Sequence, residues 1–272
     1  MHLLCSTGAF SREMGFSDHR RMLSFANHFD VAGFEVLFYP QWYAIVDQVI
    51  EDVLEAGYRY VAVHTEKSIG PAMGSESVEE REIGLDRLAV NCRFAQALGA
   101  RYIVLHLWGM PSSDKDMAIN FAMLPRCLAI ADLYNLEIAV ETIPCLKHDP
   151  LRHIRRALEL DKRAAVALDT EFLAMHNQLS DALEADWLWQ DNAVRHIHFK
   201  DFDGQMTAPD GYRKYLHIGE GRIDFKKIFD ILKRRNFGGA ISLEASGVER
   251  DGKVDVEKIQ GSLRELRKLM MG

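Results

Sequence analysis

The sequence predicts an α/β protein, a closed (β/α)8 TIM barrel folded as a single domain over residues 1–272. Three observations predict it. Eight short apolar runs recur along the chain, and amphipathic helix-like segments separate most of them; that alternation builds a parallel sheet. The 272 residues suit eight such units, since barrels of this kind typically take about 250 residues. No Pro/Gly-rich linker and no low-complexity segment divides the chain. A doubly wound open sheet is the structural alternative. The commonest reasons to choose it are a G-x-G-x-x-G after the first strand or a Walker A pattern, and neither occurs.

The apolar runs lie at about 2–8, 33–39, 58–65, 100–108, 136–143, 164–170, 194–201 and 239–246. The helices between them carry local start and stop signals. Ser17 and Asp18 are candidate caps for the first. Ser77 with Glu80 has capping-box spacing, and Gly99 closes that helix before the fourth run. Asp149 and Pro150 read as an N-cap and a first helical residue. Asp224 opens "FKKIFDILKRRN" and "NFGG" ends it. Lys233, Arg234 and Arg235 fall at that helix end, where cations oppose the helix dipole favourably. Residues 254–271 read as a final helix.

Side chains in a strand alternate between two faces. In "HIHFKD", residues 196–201, one face carries His196, His198 and Lys200, and the other carries Ile197, Phe199 and Asp201. The other runs repeat this division. Gly33 and Glu35 oppose Phe34 and Val36; Ala62 and His64 oppose Val61 and Val63. Val104, His106 and Trp108 oppose Ile103, Leu105 and Leu107. Glu141 follows Ala139, Asp169 follows Ala167, and Glu244 follows Ser242, each opposite aliphatic neighbours. One face is aliphatic and suits packing on outer helices. The other begins with small residues and gains a His, Asp or Glu near the strand's C-terminal end. In a barrel these ends converge on one mouth, where enzymes of this fold keep their sites.

Several carboxylates gathered at one mouth repel one another unless a cation is present. Glu35, Glu141, Asp169 and Glu244 therefore point to a bound divalent metal. Mixed carboxylate and imidazole donors suit Mn, Zn, Co or Fe better than Mg. Composition limits the other classes. The chain is 48% apolar and 27% charged, with a formal charge of −7. A nucleic-acid binder usually shows a basic footprint, so such a partner is disfavoured. No apolar run approaches the ~20 residues of a membrane span. The start, "MHLLCSTGAF", does not read as a signal peptide. Cys5, Cys92, Cys127 and Cys145 have no C-x-x-C spacing, and a cytoplasmic protein with reduced thiols is expected. A homodimer is compatible with the sequence.

With these residues in view, the chain resembles the xylose isomerase-like TIM-barrel superfamily, which holds sugar isomerases and epimerases, inosose isomerases, dehydratases and endonuclease IV. The matching pieces are "AVETIP", "ALDT", "HIHFKD", "ISLEAS" and the "HIGEGRIDF" loop at 217–225. The resemblance implies one divalent metal held by Glu141, Asp169, His198 and Glu244. It implies proton transfer beside a metal-polarised carbonyl, through an enediolate, with Glu141 and Glu244 as the paired acid and base. It makes Lys200, His106, His64, Glu35 and Trp108 candidate substrate contacts, although Trp108 also suits packing. The implied substrate is a sugar, sugar phosphate, inosose or other polyol ketone. Alternatives on the same barrel are a dehydratase or lyase, and an endonuclease IV-like phosphodiesterase acting on abasic DNA. Two departures bear on these. Phe172 stands where many relatives have a histidine three residues after the aspartate. Arg213 and Tyr215 stand where endonuclease IV has an Asp-x-His pair.

Overall fold

The computed structural model describes residues 1–11, 18–109 and 112–272. Eight parallel strands close into a barrel in sequence order. They are β1 His2–Ser6, β2 Phe34–Leu37, β3 Tyr60–His64, β4 Tyr102–Leu105, β5 Glu137–Glu141, β6 Ala165–Asp169, β7 Val194–Phe199 and β8 Ala240–Leu243. Each falls inside one of the eight apolar runs. β8 pairs with β1 to complete the ring. The principal helices are α1 His19–Ala26, α2 Val46–Glu55, α3 Val78–Ala97, α4 Ala118–Leu133, α5 Pro150–Leu160, α6 Leu179–Glu184, α7 Phe225–Arg234 and α8 Val256–Met271.

The predicted helix signals are realised with one correction. Asp18 caps α1, Asp149 caps α5 ahead of Pro150, and Asp224 caps α7, each accepting from an N–H in the first turn. Ser17 lies outside the described residues. Ser77 caps α3 by accepting from Glu80 N at 3.3 Å. The return bond of a capping box does not form. Glu80 bonds the Ser75 hydroxyl instead, and Ser77 N donates to Ser75 Oγ at 3.1 Å. The spacing of Ser77 and Glu80 is right for the box, but Ser75 competes for both partners. Gly99 ends the α3 segment at φ 69°, a backbone region that costs glycine little.

Two apolar layers follow from strand alternation. Outward-facing aliphatics such as Val63, Ile103, Leu105, Ile138, Val140 and Ile241 join the helices in the main core. Inside the barrel a separate cluster fills the lower axis, with Leu4, Tyr102, Val104 and the alanines 62, 139, 165, 167 and 240. Burying such side chains is worth about 25 cal/mol per Å² of apolar surface, and it is the main force closing the ring. All four cysteines are buried and free. Among the described residues no helix is long and apolar enough to cross a membrane.

Candidate functional site

Above the small apolar layer the barrel interior turns polar. Glu35, His64, His106, Glu141, Asp169, His198, Lys200 and Glu244 meet there, none more than 5% exposed. Local structure sets each one. Gly33, just before β2, leaves room for a close approach: a Cβ there would sit 2.8 Å from the Arg59 carbonyl. His106 follows the last residue of β4. The short helix Ile69–Met73 packs on its carbonyl at Gly70, where a Cβ would collide with the His106 oxygen. Asn120 then donates to the carbonyls of Gly70 at 3.0 Å and Leu107 at 2.7 Å. Asp169 ends β6 and caps the following turn, accepting from Phe172 N at 2.9 Å. Its own N–H donates to Thr142 Oγ1 at 2.9 Å. Thr170 ties β6 to β7 by donating to the Lys200 carbonyl at 2.6 Å.

Glu141, Asp169, His198 and Glu244 each offer a donor atom within 4.8 Å of the others. His198 Nδ1 lies 2.8 Å from Glu141 Oε1, 3.6 Å from Glu244 Oε2 and 3.9 Å from Asp169 Oδ2. Lys200 Nζ lies 2.6 Å from both Asp169 Oδ2 and Glu244 Oε2. Despite that ion pair, Asp169 Oδ2 accepts no well-directed hydrogen bond. His106 Nε2 is 2.6 Å from Glu141 Oε2. His64 Nδ1 lies 2.9 Å from the Thr65 carbonyl, to which it can only donate. Its other ring nitrogen, Nε2, lies 3.2 Å from Glu141 Oε2.

These contacts set the charge states. Burial opposes ionisation of Glu141, but His198 and His106 outweigh it and hold the carboxyl well below its usual range. Burial pushes Asp169 up to about 6 against the pull of Lys200, and Glu141, Glu244 and Glu171 add to the rise. Burial lowers His106 to about 4 against the attraction of Glu141. His198 moves the other way: Glu35, Glu244 and Glu141 overcome its burial and raise it. The donor set of three carboxylates and one imidazole, with one carboxylate oxygen poorly satisfied, fits a borderline divalent cation.

Two expected substrate contacts sit differently from the rest. Trp108 is fully buried, donates to the Pro144 carbonyl at 3.2 Å and packs edge-on to His153. β4 ends at Leu105, so alternation stops short of Trp108. Glu35 has no exposed surface, and both its oxygens are taken by His198 and Ser242. Strand alternation does not reach Glu171, on the short helix Thr170–Met175; Glu171 is buried, pairs with Arg213 and lies 3.8 Å from Lys200 Nζ. Alternation through Val104 and His106 also places Tyr102 inside the barrel. Phe172 lies under Lys200, with Nζ 4.4 Å from the ring centre. Arg213 stacks on Tyr215 at 4.6 Å. A surface cleft of about 690 Å³ lies beside α4 and α5, lined by none of the four clustered donors. The clustered donors make the mouth the candidate chemical site.

Comparison with known proteins agrees with this architecture. The chain matches a D-tagatose 3-epimerase-like protein at 19% identity and TM-score 0.72, covering 100% of this chain and 98% of that one. It matches D-allulose 3-epimerase from Methylomonas sp. at 15% identity and TM-score 0.75, covering 99% and 98%. It also matches a probable 3-DHS dehydratase of petrobactin synthesis from Bacillus anthracis at 16% and TM-score 0.69, covering 98% and 99%. At these identities the likeness is one of fold. No curated protein matches the chain. Residues 23–269 match the family described as xylose isomerase-like TIM barrel. Spanning seven of the eight strands and all four clustered donors, that match places the chain in the xylose isomerase-like TIM barrel family.

Proposed function

We propose that the protein is a metal-dependent isomerase or epimerase of a sugar, sugar phosphate or inosose. The observation that carries this reading is the set of four converging donors, Glu141, Asp169, His198 and Glu244, at the C-terminal ends of four consecutive strands. These residues would hold the cation, with Mn, Zn, Co or Fe favoured over Mg. Bound there, a divalent ion supplies Lewis-acid polarisation of a substrate carbonyl.

The chain's own groups do the rest. Glu141 and Glu244 act as the acid and base that remove and return the proton beside the carbonyl. Lys200 and His106 are placed to bind substrate oxygens. Lys200 spans Asp169 and Glu244, with Glu171 3.8 Å from its ammonium, so a cation held by those two carboxylates would leave it Glu171 or substrate as partner. The epimerase neighbours, whose names specify D-tagatose and D-allulose, support the substrate class. The dehydratase neighbour keeps elimination on the same enolate chemistry as the nearest variant.

The test is divalent metal content of chelator-free protein, followed by turnover on ketose, ketose phosphate and inosose panels. Glu141→Gln and Glu244→Gln should each lower turnover roughly 10²–10⁴-fold. Unchanged turnover in both would remove the acid–base assignment. A second reading, an endonuclease IV-like phosphodiesterase, is favoured by His64 and His106 meeting on Glu141. Several zinc ions per chain and cleavage of abasic DNA would select it.

A further inference from the structure

Beneath the four donors, a line of buried polar groups runs down the barrel axis from His198. Glu35 Oε1 lies 2.8 Å from His198 Nε2. Glu35 Oε2 accepts from Ser242 Oγ at 2.8 Å and has His196 Nε2 3.3 Å away. On the far side of His196, Nδ1 lies 2.7 Å from the Tyr102 hydroxyl. Glu35, His196, His198 and Ser242 have no exposed surface, and Tyr102 is 6% exposed.

Donor and acceptor rules fix the upper part of this line. A carboxylate only accepts, so Ser242 donates to Glu35; His196 Nε2, 3.3 Å from the same oxygen, makes no directed hydrogen bond to it. Glu35 Oε1 is left to accept from His198, which fixes that N–H at Nε2. The other ring nitrogen, Nδ1, is the one that faces Glu141, Glu244 and Asp169.

We propose that Glu35 is a positioning residue and not a substrate contact: backed by Ser242, His196 and Tyr102, it locks the His198 ring so that Nδ1 faces the mouth as a ligand for a divalent cation. The proposal rests on the metal reading above. Metal-bound imidazoles commonly donate their second N–H to a carboxylate, which fixes the tautomer and raises ligand basicity; losing that partner costs roughly 10–100-fold in metal affinity. The lock is built from β2, β4, β7 and β8. Only β7 and β8 of these also supply one of the four donors.

The test measures Co²⁺ affinity by competition with a chromophoric chelator, with the visible Co²⁺ spectrum as a second readout. Glu35→Leu should weaken Co²⁺ roughly 10–100-fold and alter the spectrum. Glu35→Gln keeps one acceptor oxygen but adds an amide N–H that must face Ser242 or His196, so its loss should be smaller, roughly three- to tenfold. It carries the test if Glu35→Leu does not fold. Tyr102→Phe should give the smallest loss. In zinc-loaded protein labelled with ¹⁵N-histidine, His198 should show a protonated Nε2 and a metal-bound Nδ1, and the Nε2 signal should shift in Glu35→Gln. Wild-type affinity and an unshifted His198 signal in folded Glu35→Gln would overturn the proposal. A wild-type protein that binds no cation would instead overturn the metal reading of the mouth, and this proposal with it.

Discussion

Two kinds of buried carboxylate occur at the top of this barrel, and their partners differ. Asp201 and Asp114 are held by backbone. Asp201 accepts from the N–H groups of Phe202 at 2.7 Å, Gly219 at 3.0 Å, Gly221 at 2.8 Å and Ile223 at 3.0 Å. Asp114 accepts from Leu146, Lys147 and His148 at 2.9–3.2 Å. At the mouth, Glu141 and Glu244 are faced by side-chain cations and imidazoles, and Asp169 shares Lys200 with Glu244. Backbone donors cannot leave without unfolding a loop. A lysine or an imidazole can swing away and yield its place to a ligand. The titration of the two aspartates follows the same division: Asp114 is pulled below its ordinary value despite burial, and Asp169 is pushed up to about 6 by it. Backbone-saturated carboxylates shape the loops, while those paired to side chains are the ones the proposed cation would use.

Breaking the Asp201 staple tests the first half most severely. Asp201→Ala leaves the four N–H groups without their acceptor and frees the 217–225 loop. It should cost about 3 kcal/mol of stability, read from the shift in urea midpoint. Asp201→Asn, which keeps one acceptor oxygen, should cost less. If Asp201→Ala were neutral, backbone saturation would not be what makes this carboxylate structural. The second half is tested by thermal melting with and without added Mn²⁺ or Co²⁺. A cation at about 100 times its dissociation constant stabilises the fold by about 2.7 kcal/mol. That gain should vanish in Glu244→Ala and persist in Asp201→Asn. A gain retained in Glu244→Ala would move the cation away from the mouth.

The sequence made this division half legible. Strand alternation is a backbone rule, so it worked wherever the strand persists: Glu141, Asp169 and His198 lie on strands and meet as the pattern requires. Glu244 lies one residue beyond β8 and still conforms, because its N–H continues the ladder to the Phe199 carbonyl at 3.2 Å. Past β4 the chain turns, and Trp108 leaves the pattern. Depth along the axis was not legible. Glu35 and Glu141 read alike as strand-borne carboxylates, yet Glu35 sits below the mouth because β2 is offset from β3, with Glu35 opposite Ala62 and Leu37 opposite His64. Asp201 read correctly as opposite Lys200. Three of its four partners lie about twenty residues on, in "HIGEGRIDF", and the glycines there are spaced for its oxygens: Gly219 has φ 89°, and a Cβ on Gly221 would strike Asp201. A side chain's partners across a loop leave no periodic trace, so that motif carried family likeness without showing its mechanical role.

Asp114 gives the smallest effect and the finest test of the comparison. Burial opposes its ionisation, but the N–H groups of Leu146, His148 and Lys147, together with His153, outweigh it and lower its titration. A carboxyl lowered in the folded state releases its proton more readily there than in the unfolded chain. The unfolded chain therefore binds more protons in the window between the two values, and stability rises with pH across it. The contribution of Asp114 is fully present above the unfolded value of about 3.9. It is lost as pH falls through the lower, folded value. Asp114→Asn does not titrate and cannot accept from all three N–H groups with one oxygen. It should cost about 1 kcal/mol at neutral pH, and the gap to wild type should narrow as pH falls below 4. Melting curves of the two proteins from pH 6 to pH 3 would show it. A gap that stayed constant would mean that packing, and not the charge on Asp114, joins the loop after β4 to the loop after β5.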